Sequence, residues 1–142
     1  MKCQTLATNA RLPGTYKAWV SDSTSSPSTR FTRATIPYVR VDGTAIATSW
    51  TDLTTATNLA AAINVTETGG TPPVAGGACG YNRMVWTSTN RDGTLYPNGN
   101  CSDWTSPGGG GSTGDYGATQ YWTDWCSGGV CSGQGTLYCF EQ

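Results

Sequence analysis

The sequence predicts an α+β domain that is stabilised by disulfide bonds. Short segments in which apolar residues follow helical spacing occur among short segments rich in β-formers. The chain has six cysteines and no histidine, which favours three disulfides over a metal site. With 142 residues, the chain has the length of one domain, so we predict a single domain over residues 1–142.

The first predicted elements are a helix and a strand. Apolar residues at i, i+3, i+4 and i+7 from Cys3 predict a short amphipathic helix over residues 2–12, which the Pro13 and Gly14 pair ends. Residues 16–20 follow as a predicted strand. The polar stretch 21–29 fits either a short helix or a loop.

A hairpin and a second helix are predicted next. Asp42 and Gly43 lie between two β-rich segments, which is the strongest hairpin signal in the chain and predicts a hairpin over residues 36–47. Residues 51–63 keep helical spacing from Leu53 to Ile63 and predict the second helix. Turn-forming residues make 66–77 a loop.

The second half of the chain is rich in glycine. An apolar strand is predicted over residues 84–87 and a turn over 90–93. The stretch 107–114 lacks the Lys-Ser/Thr pair of a phosphate-binding loop, so we interpret it as a flexible surface loop. The period-two alternation of 137–142 predicts a closing strand that contains Cys139.

Composition excludes two classes of partner. Charged residues make up 12% of the chain and the net charge is -1, which argues against a nucleic-acid partner. No apolar run approaches the length of about 20 residues that crosses a bilayer, so membrane insertion is not expected. Disulfides indicate an oxidising compartment, and we expect an extracellular or outer-surface location. Because Met1 and Lys2 run directly into Cys3 without a signal peptide, we expect a piece of a larger secreted protein.

Several local patterns occur in one order along nearly the whole chain. They are YKAWVSD at 16–22, VWT at 85–87, CSDWTS at 101–106 and LYCFEQ at 137–142. Together they resemble the C-type lectin-like fold. They resemble more closely a bacterial secreted family of its endostatin-like branch, found in spirochaetes and delta-proteobacteria.

The resemblance implies an architecture and a set of disulfides. It implies two short helices, small antiparallel sheets, pairing of the first and last strands, and a long glycine-rich loop region. The disulfides that it implies are Cys3 with Cys139 and Cys101 with Cys131, which leaves Cys79 and Cys126 as an additional pair.

The resemblance also raises the question of calcium. Lectins of this fold bind calcium and sugar through Glu-Pro-Asn and Trp-Asn-Asp triplets, and the corresponding triplets here begin at Tyr96 and Trp122. Each has lost an oxygen donor, because Tyr96 replaces a glutamate and Thr123 replaces an asparagine. Calcium prefers six to eight oxygen ligands. We therefore expect no cofactor and keep calcium as the alternative. Its candidate ligands are Asn98 and Asp124, supplemented by Asp103 or Asp115.

Aromatic and polar residues in the glycine-rich half are candidates for ligand binding. Tyr and Trp offer large, rigid contact areas with a polar atom. The candidate residues are Tyr96, Asn98, Asp103, Trp104, Tyr121, Trp122, Asp124 and Trp125. Four neighbours have the same aromatic or polar character, and they are Asn100, Asp115, Tyr116 and Gln120. A core position is the competing interpretation. A core position is favoured for Trp19, Trp50 and Trp86. Trp104 is interpreted as a core residue or as the anchor of a loop. For Tyr121, Trp122 and Trp125, binding and a structural role both stay open.

No catalytic constellation is visible in the sequence. There is no histidine base, the cysteines are expected to be bridged, and Asp103 with Asp124 is the best carboxylate pair available. We predict a non-enzymatic, adhesin-like recognition module that binds a glycan or a surface component of host or prey. The alternative is a protein-binding or self-assembling tip domain of a surface fibre, for instance a homotrimer. A purely structural domain is the third possibility.

Overall fold

The chain combines short helices and short strands. The computed structural model describes residues 2–74 and 80–142. The helices in these ranges are α1 (Lys2–Asn9), α2 (Pro27–Arg30), α3 (Trp50–Thr55) and α4 (Cys101–Trp104). The strands are β1 (Tyr16–Ala18), β2 (Tyr38–Val39), β3 (Ala45–Ala47), β4 (Met84–Trp86), β5 (Gly110–Asp115), β6 (Cys126–Val130) and β7 (Cys139–Glu141). Over the same ranges, no helix is long and apolar enough to cross a membrane.

The strands form three small antiparallel sheets in the described part of the chain. β1 pairs with β7, β2 pairs with β3, and β5 lies between β4 and β6. In the first sheet Tyr16 lies opposite Glu141 and Ala18 opposite Cys139. The predicted hairpin is confirmed, with Gly43 at φ 84° in its turn. The α+β prediction is confirmed at this level of detail.

Two of the three predicted disulfides are confirmed. Cys3 is bonded to Cys139, and Cys101 is bonded to Cys131. Cys126 is also disulfide-bonded. Cys79 lies outside the described residues, so the pairing of Cys79 with Cys126 stays a prediction.

The helices predicted over residues 2–12 and 51–63 are both shorter in the structure, where they end at Asn9 and Thr55. After α1, Arg11 adopts a left-handed conformation with φ 59°, its N–H donates to Thr8 O, and the Leu12 N–H donates to Ala7 O. These two bonds form a Schellman motif, which ends the helix before the proline. The predicted helix over 51–63 ends at Thr55, because Ala56 is extended with ψ 140°.

The prediction of a flexible surface loop over 107–114 is wrong. Most of this stretch belongs to β5, the central strand of its sheet, and residues 111–115 are buried. Glycine is needed here for close approach, because a Cβ at Gly111 would lie 2.9 Å from the Trp86 ring. A Cβ at Gly114 would overlap the carbonyl of Trp122. β5 contains three glycines and no apolar side chain, so it gives no period-two hydrophobic signal, and the sequence predicts neither β5 nor the glycine-containing β6.

The main core is built from aromatic rings around Trp19. This side chain is fully buried, and its ring centroid lies 4.9–5.9 Å from those of four others. The four are Phe31, Trp50, Trp122 and Phe140. A smaller cluster contains Met84, Trp86 and Cys101. The predicted core positions of Trp19, Trp50 and Trp86 are confirmed.

Candidate functional site

Three aromatic side chains lie together at the surface. The rings of Tyr121 and Trp125 are stacked, with centroids 3.8 Å apart and an interplanar angle of 38°. Tyr81 meets Trp125 edge-on at 5.9 Å. Tyr121 is 39% exposed and Trp125 is 37% exposed. We call Tyr81, Tyr121 and Trp125 the aromatic cluster. Its ring faces can stack on a ligand, while its hydroxyl and indole N–H groups can form hydrogen bonds.

The loop over residues 121–125, which we call the aromatic loop, is fixed to β5 at both ends. The Asp115 N–H donates to Tyr121 O at 2.9 Å, and the Trp125 N–H donates to Thr113 O at 3.0 Å. Between them Thr123 is fully buried and its carbonyl accepts from Thr87 Oγ1 at 2.6 Å. The centre of the loop therefore faces the core and its two ends present their rings outward.

Arg91 holds the loop from the other side. Its Nη2 donates to Gln120 O at 2.5 Å, and its Nη1 donates to Thr57 O at 2.9 Å and to Ala56 O at 3.3 Å. These carbonyls belong to the segment after α3 and to the residue before Tyr121. Arg91 thus ties the aromatic loop to the end of a helix that lies far away in sequence.

The prediction that Trp122 is a ligand-binding residue is wrong. Its side chain is 1% exposed and its ring lies 4.9 Å from that of Trp19 and 5.8 Å from that of Tyr138. A ligand at the surface cannot reach it. Of the three neighbouring aromatics for which both readings were open, Trp122 belongs to the core, whereas Tyr121 and Trp125 are exposed.

Trp104 anchors a loop. It is half-buried, its Nε1 donates to Ser21 O at 2.9 Å, and its ring meets that of Trp86 edge-on at 5.9 Å. Since its one N–H is already used and one ring edge is covered, little of Trp104 is free for a ligand. In the described residues it makes no ring contact with the aromatic cluster.

Asp103 is exposed and engaged by neighbouring residues. Its oxygens accept from Ser23 N at 2.7 Å and Ser23 Oγ at 2.6 Å, and also from the Asn100 amide. The Ser23 hydroxyl bond is the main cause that lowers the pKa of Asp103. Asp103 lies in α4, where four consecutive residues from Cys101 to Trp104 have φ between 53° and 64°. A left-handed conformation costs about 1–2 kcal/mol per residue, so α4 depends on its disulfide and on these bonds.

Two of the four candidate calcium ligands, Asp103 and Asp115, already accept hydrogen bonds from protein groups. Asp115 is 3% exposed, and its two oxygens accept from Arg83 Nε and Nη2 at 2.9 and 2.8 Å and from Gly117 N at 2.8 Å. Asp103 is occupied in the same way by Ser23. In residues 2–74 and 80–142 no group of three or more His, Cys, Asp or Glu side chains could hold a metal ion.

The remaining predicted residues differ in exposure, and of these only Asp124 is adjacent in sequence to a residue of the aromatic cluster. Asn98 is exposed, while Tyr96 and Asp124 are half-buried. The Tyr96 N–H donates to Ser88 O at 2.9 Å, which fixes its backbone beside β4. No ring contact joins Tyr96 to the aromatic cluster among the described residues.

Two residues at this surface were not predicted from the sequence. Tyr81 and Arg83 lie just before β4, where Tyr81 contacts the ring of Trp125 and Arg83 is bonded to Asp115 at the end of β5. The only available signal was their position at the start of a predicted apolar strand. Neither a scan of the chain against protein-family models nor a search of curated proteins found a match.

Proposed function

We propose that the chain is a non-enzymatic, extracellular recognition domain that binds a carbohydrate on the aromatic cluster. We also propose that its architecture is C-type lectin-like. The pairing of β1 with β7 supports this, as do the Cys3–Cys139 and Cys101–Cys131 bonds, which are the bonds that the resemblance implies. Disulfides favour an oxidising location such as a bacterial outer surface, where an adhesin meets host or prey.

The stacked and exposed pair of Tyr121 and Trp125 carries this proposal. Trp122 of the same loop is almost fully buried, whereas both of these side chains keep more than a third of their surface exposed. The apolar C–H face of a pyranose ring is flat and fits such a ring. Its hydroxyls can bond to the phenol and indole groups at the edge.

The aromatic loop is arranged before any ligand arrives. Both of its ends are hydrogen-bonded to β5 and its centre is buried. A ligand therefore does not have to order this segment, which reduces the entropic cost of binding.

A glycan array followed by calorimetry tests the proposal. We expect at least one carbohydrate to bind, and we expect Trp125→Ala to weaken its affinity by about tenfold or more, as for other aromatic stacking platforms. Val130→Ala is the matched control, because it removes a 64% exposed apolar side chain from β6, outside the aromatic cluster. Binding to no carbohydrate would overturn the proposal, and so would equal affinities for wild type and Trp125→Ala.

A protein-binding or self-assembling tip domain is the second candidate. Ile36, Val39 and Val41 are 70%, 58% and 48% exposed, and they lie on or beside β2, an edge strand of a two-stranded sheet. Exposed apolar residues at a sheet edge favour association with another chain. Sedimentation tests this function, because a chain that stays monomeric at all concentrations contradicts self-assembly as a homotrimer or any other oligomer.

A further inference from the structure

Arg83 borders the aromatic cluster. Its guanidinium is bonded to Asp115, and the Asp115 N–H donates to the carbonyl of Tyr121. Tyr121 stacks on Trp125, which in turn contacts Tyr81, two residues before Arg83. Arg83 is thus linked to the aromatic cluster on two sides, through Asp115 to Tyr121 and through two positions of chain to Tyr81.

One edge of the Arg83 guanidinium has no hydrogen-bond partner in the part of the chain that the structure describes. Nε and Nη2 donate to Asp115, whereas Nη1 donates to no described residue, and the side chain is 46% exposed. The group lies over Gly117, where an added Cβ would be 2.8 Å from Cζ and 3.0 Å from Nη1. Hydrogen bonding to Asp115 is the main cause that raises the pKa of Arg83, so the group stays charged.

Arg91, the other arginine near the loop, cannot serve in the same way. Its Nη1 and Nη2 donate to the carbonyls of Ala56, Thr57 and Gln120. The Nε of Arg91 is unpaired but buried, so of the two arginines only Arg83 combines a fixed orientation with an exposed unused donor. An arginine that is already oriented loses less conformational freedom when it binds an anion.

We infer that Arg83 binds the carboxylate of an acidic sugar, such as a uronic or sialic acid, while the sugar ring lies on the aromatic cluster. This inference rests on the proposed function and names its ligand class. Guanidinium groups match carboxylates in geometry and charge. Because the net charge of the chain is -1 and Asp115 partly offsets Arg83, the selectivity is local and does not come from long-range attraction.

Pairs of glycans test the inference. Each pair has a member ending in glucuronic, galacturonic or sialic acid and a counterpart in which the carboxylate is reduced to an alcohol. Since hydrogen bonds to charged groups are stronger than neutral ones, we expect the wild type to prefer the acidic member of at least one pair by about tenfold. Arg83→Gln should reduce this preference to about one, and Arg33→Gln, which removes an equal charge from an exposed position elsewhere, should retain it.

Arg83→Gln leaves the buried Asp115 without its charged partner and could therefore prevent folding. A second variant keeps the test valid in that case. Gly117→Ala retains every charge and displaces the guanidinium, so it should also lower the preference for the acidic member. Equal binding of acidic and reduced glycans by the wild type would overturn the inference and leave the proposed function intact. A preference for the acidic glycan that persists in folded Arg83→Gln and Gly117→Ala proteins would likewise overturn the inference and leave the proposed function intact. Binding to neither member of any pair would overturn the inference, and binding to no carbohydrate on the whole array would overturn the proposed function as well.

Discussion

The indole Nε1 of Trp19 donates to the hydroxyl of Thr123 at 2.8 Å, across 104 positions of sequence. The same hydroxyl donates to Thr89 O at 2.8 Å, and all three residues are fully buried. One side chain of the aromatic loop is thus bonded both to the residue after β1 and to the segment after β4. The surface position of Tyr121 and Trp125 depends on this buried network.

Replacing Thr123 by valine should destabilise the fold. The change keeps the shape of the side chain and leaves the Trp19 N–H and the Thr89 carbonyl without partners in the core. Each unsatisfied buried group costs about 1–3 kcal/mol, so we expect the free energy of unfolding to fall by about 2–4 kcal/mol. Urea denaturation measures the change. Thr57→Val at an exposed site is the control, and a Thr123→Val protein as stable as the control would contradict the role of the network.

Alanine substitutions at Trp122 and Trp125 should lower the stability of the fold by very different amounts. Trp122→Ala empties a site in the main core, and such truncations cost about 3–5 kcal/mol. Trp125→Ala acts at the surface and should cost about 1 kcal/mol or less. Thermal or chemical unfolding of both variants gives the comparison. Similar losses of stability would mean that the assignment of one residue to the core and the other to the surface is wrong.

Gly114 should tolerate no side chain. A Cβ at this position overlaps the carbonyl of Trp122, which is main chain and cannot move away cheaply. We expect Gly114→Ala to cost more than about 3 kcal/mol, at the upper end of single substitutions, or to prevent folding. Gly110→Ala is a matched control in the same strand, because its Cβ would meet its nearest atoms at 3.7 Å. If both variants fold with equal stability, β5 does not pack as described.

Stability should decline as the pH falls from about 4 to about 2. The Thr24 hydroxyl, followed by backbone N–H groups, lowers the pKa of Asp22 to about 2, and the Arg40 guanidinium lowers the pKa of Asp42 to about 2. An aspartate in the unfolded chain has a pKa of about 3.9. The unfolded state therefore binds protons first, so the stabilisation is present above that value and is lost as the pH falls through the folded pKa.

The melting temperature followed over this pH range tests the prediction. The double variant Asp22→Asn and Asp42→Asn should lose less of its melting temperature on acidification than the wild type does. Asp103, whose pKa is also lowered, should account for part of the remaining slope. An unchanged slope in the double variant would show that these carboxylates do not link folding to pH.

Elements with strong local signals were predictable from the sequence. The Asp42 and Gly43 turn located its hairpin, and the alternating residues around Cys139 located the closing strand. The resemblance, rather than any local pattern, supplied the partners of Cys3 and Cys101. Helix ends were harder, because Arg11 and Ala56 leave the helical conformation without a glycine to mark the position.

The site was only half predictable, because burial in the glycine-rich half depends on packing between distant segments. Tyr121, Trp122 and Trp125 have similar chemistry, and the sequence does not show that Thr123, next to Trp122, is bonded into the core. The orientation of the Arg83 guanidinium depends on its bond to Asp115, which lies 32 positions away. The left-handed run in α4 could not be predicted either, since its residues have no intrinsic preference for that conformation.

The bond between Cys3 and Cys139 has a mechanical consequence. It joins two residues that lie 5.4 Å apart and encloses 136 positions of chain. A pulling force applied at the two termini passes through this covalent bond and not through the aromatic core. Under tension the core and the rings on its surface would carry almost no load, so a recognition domain tethered at its ends would keep its contact surface in shape while the tether is stretched.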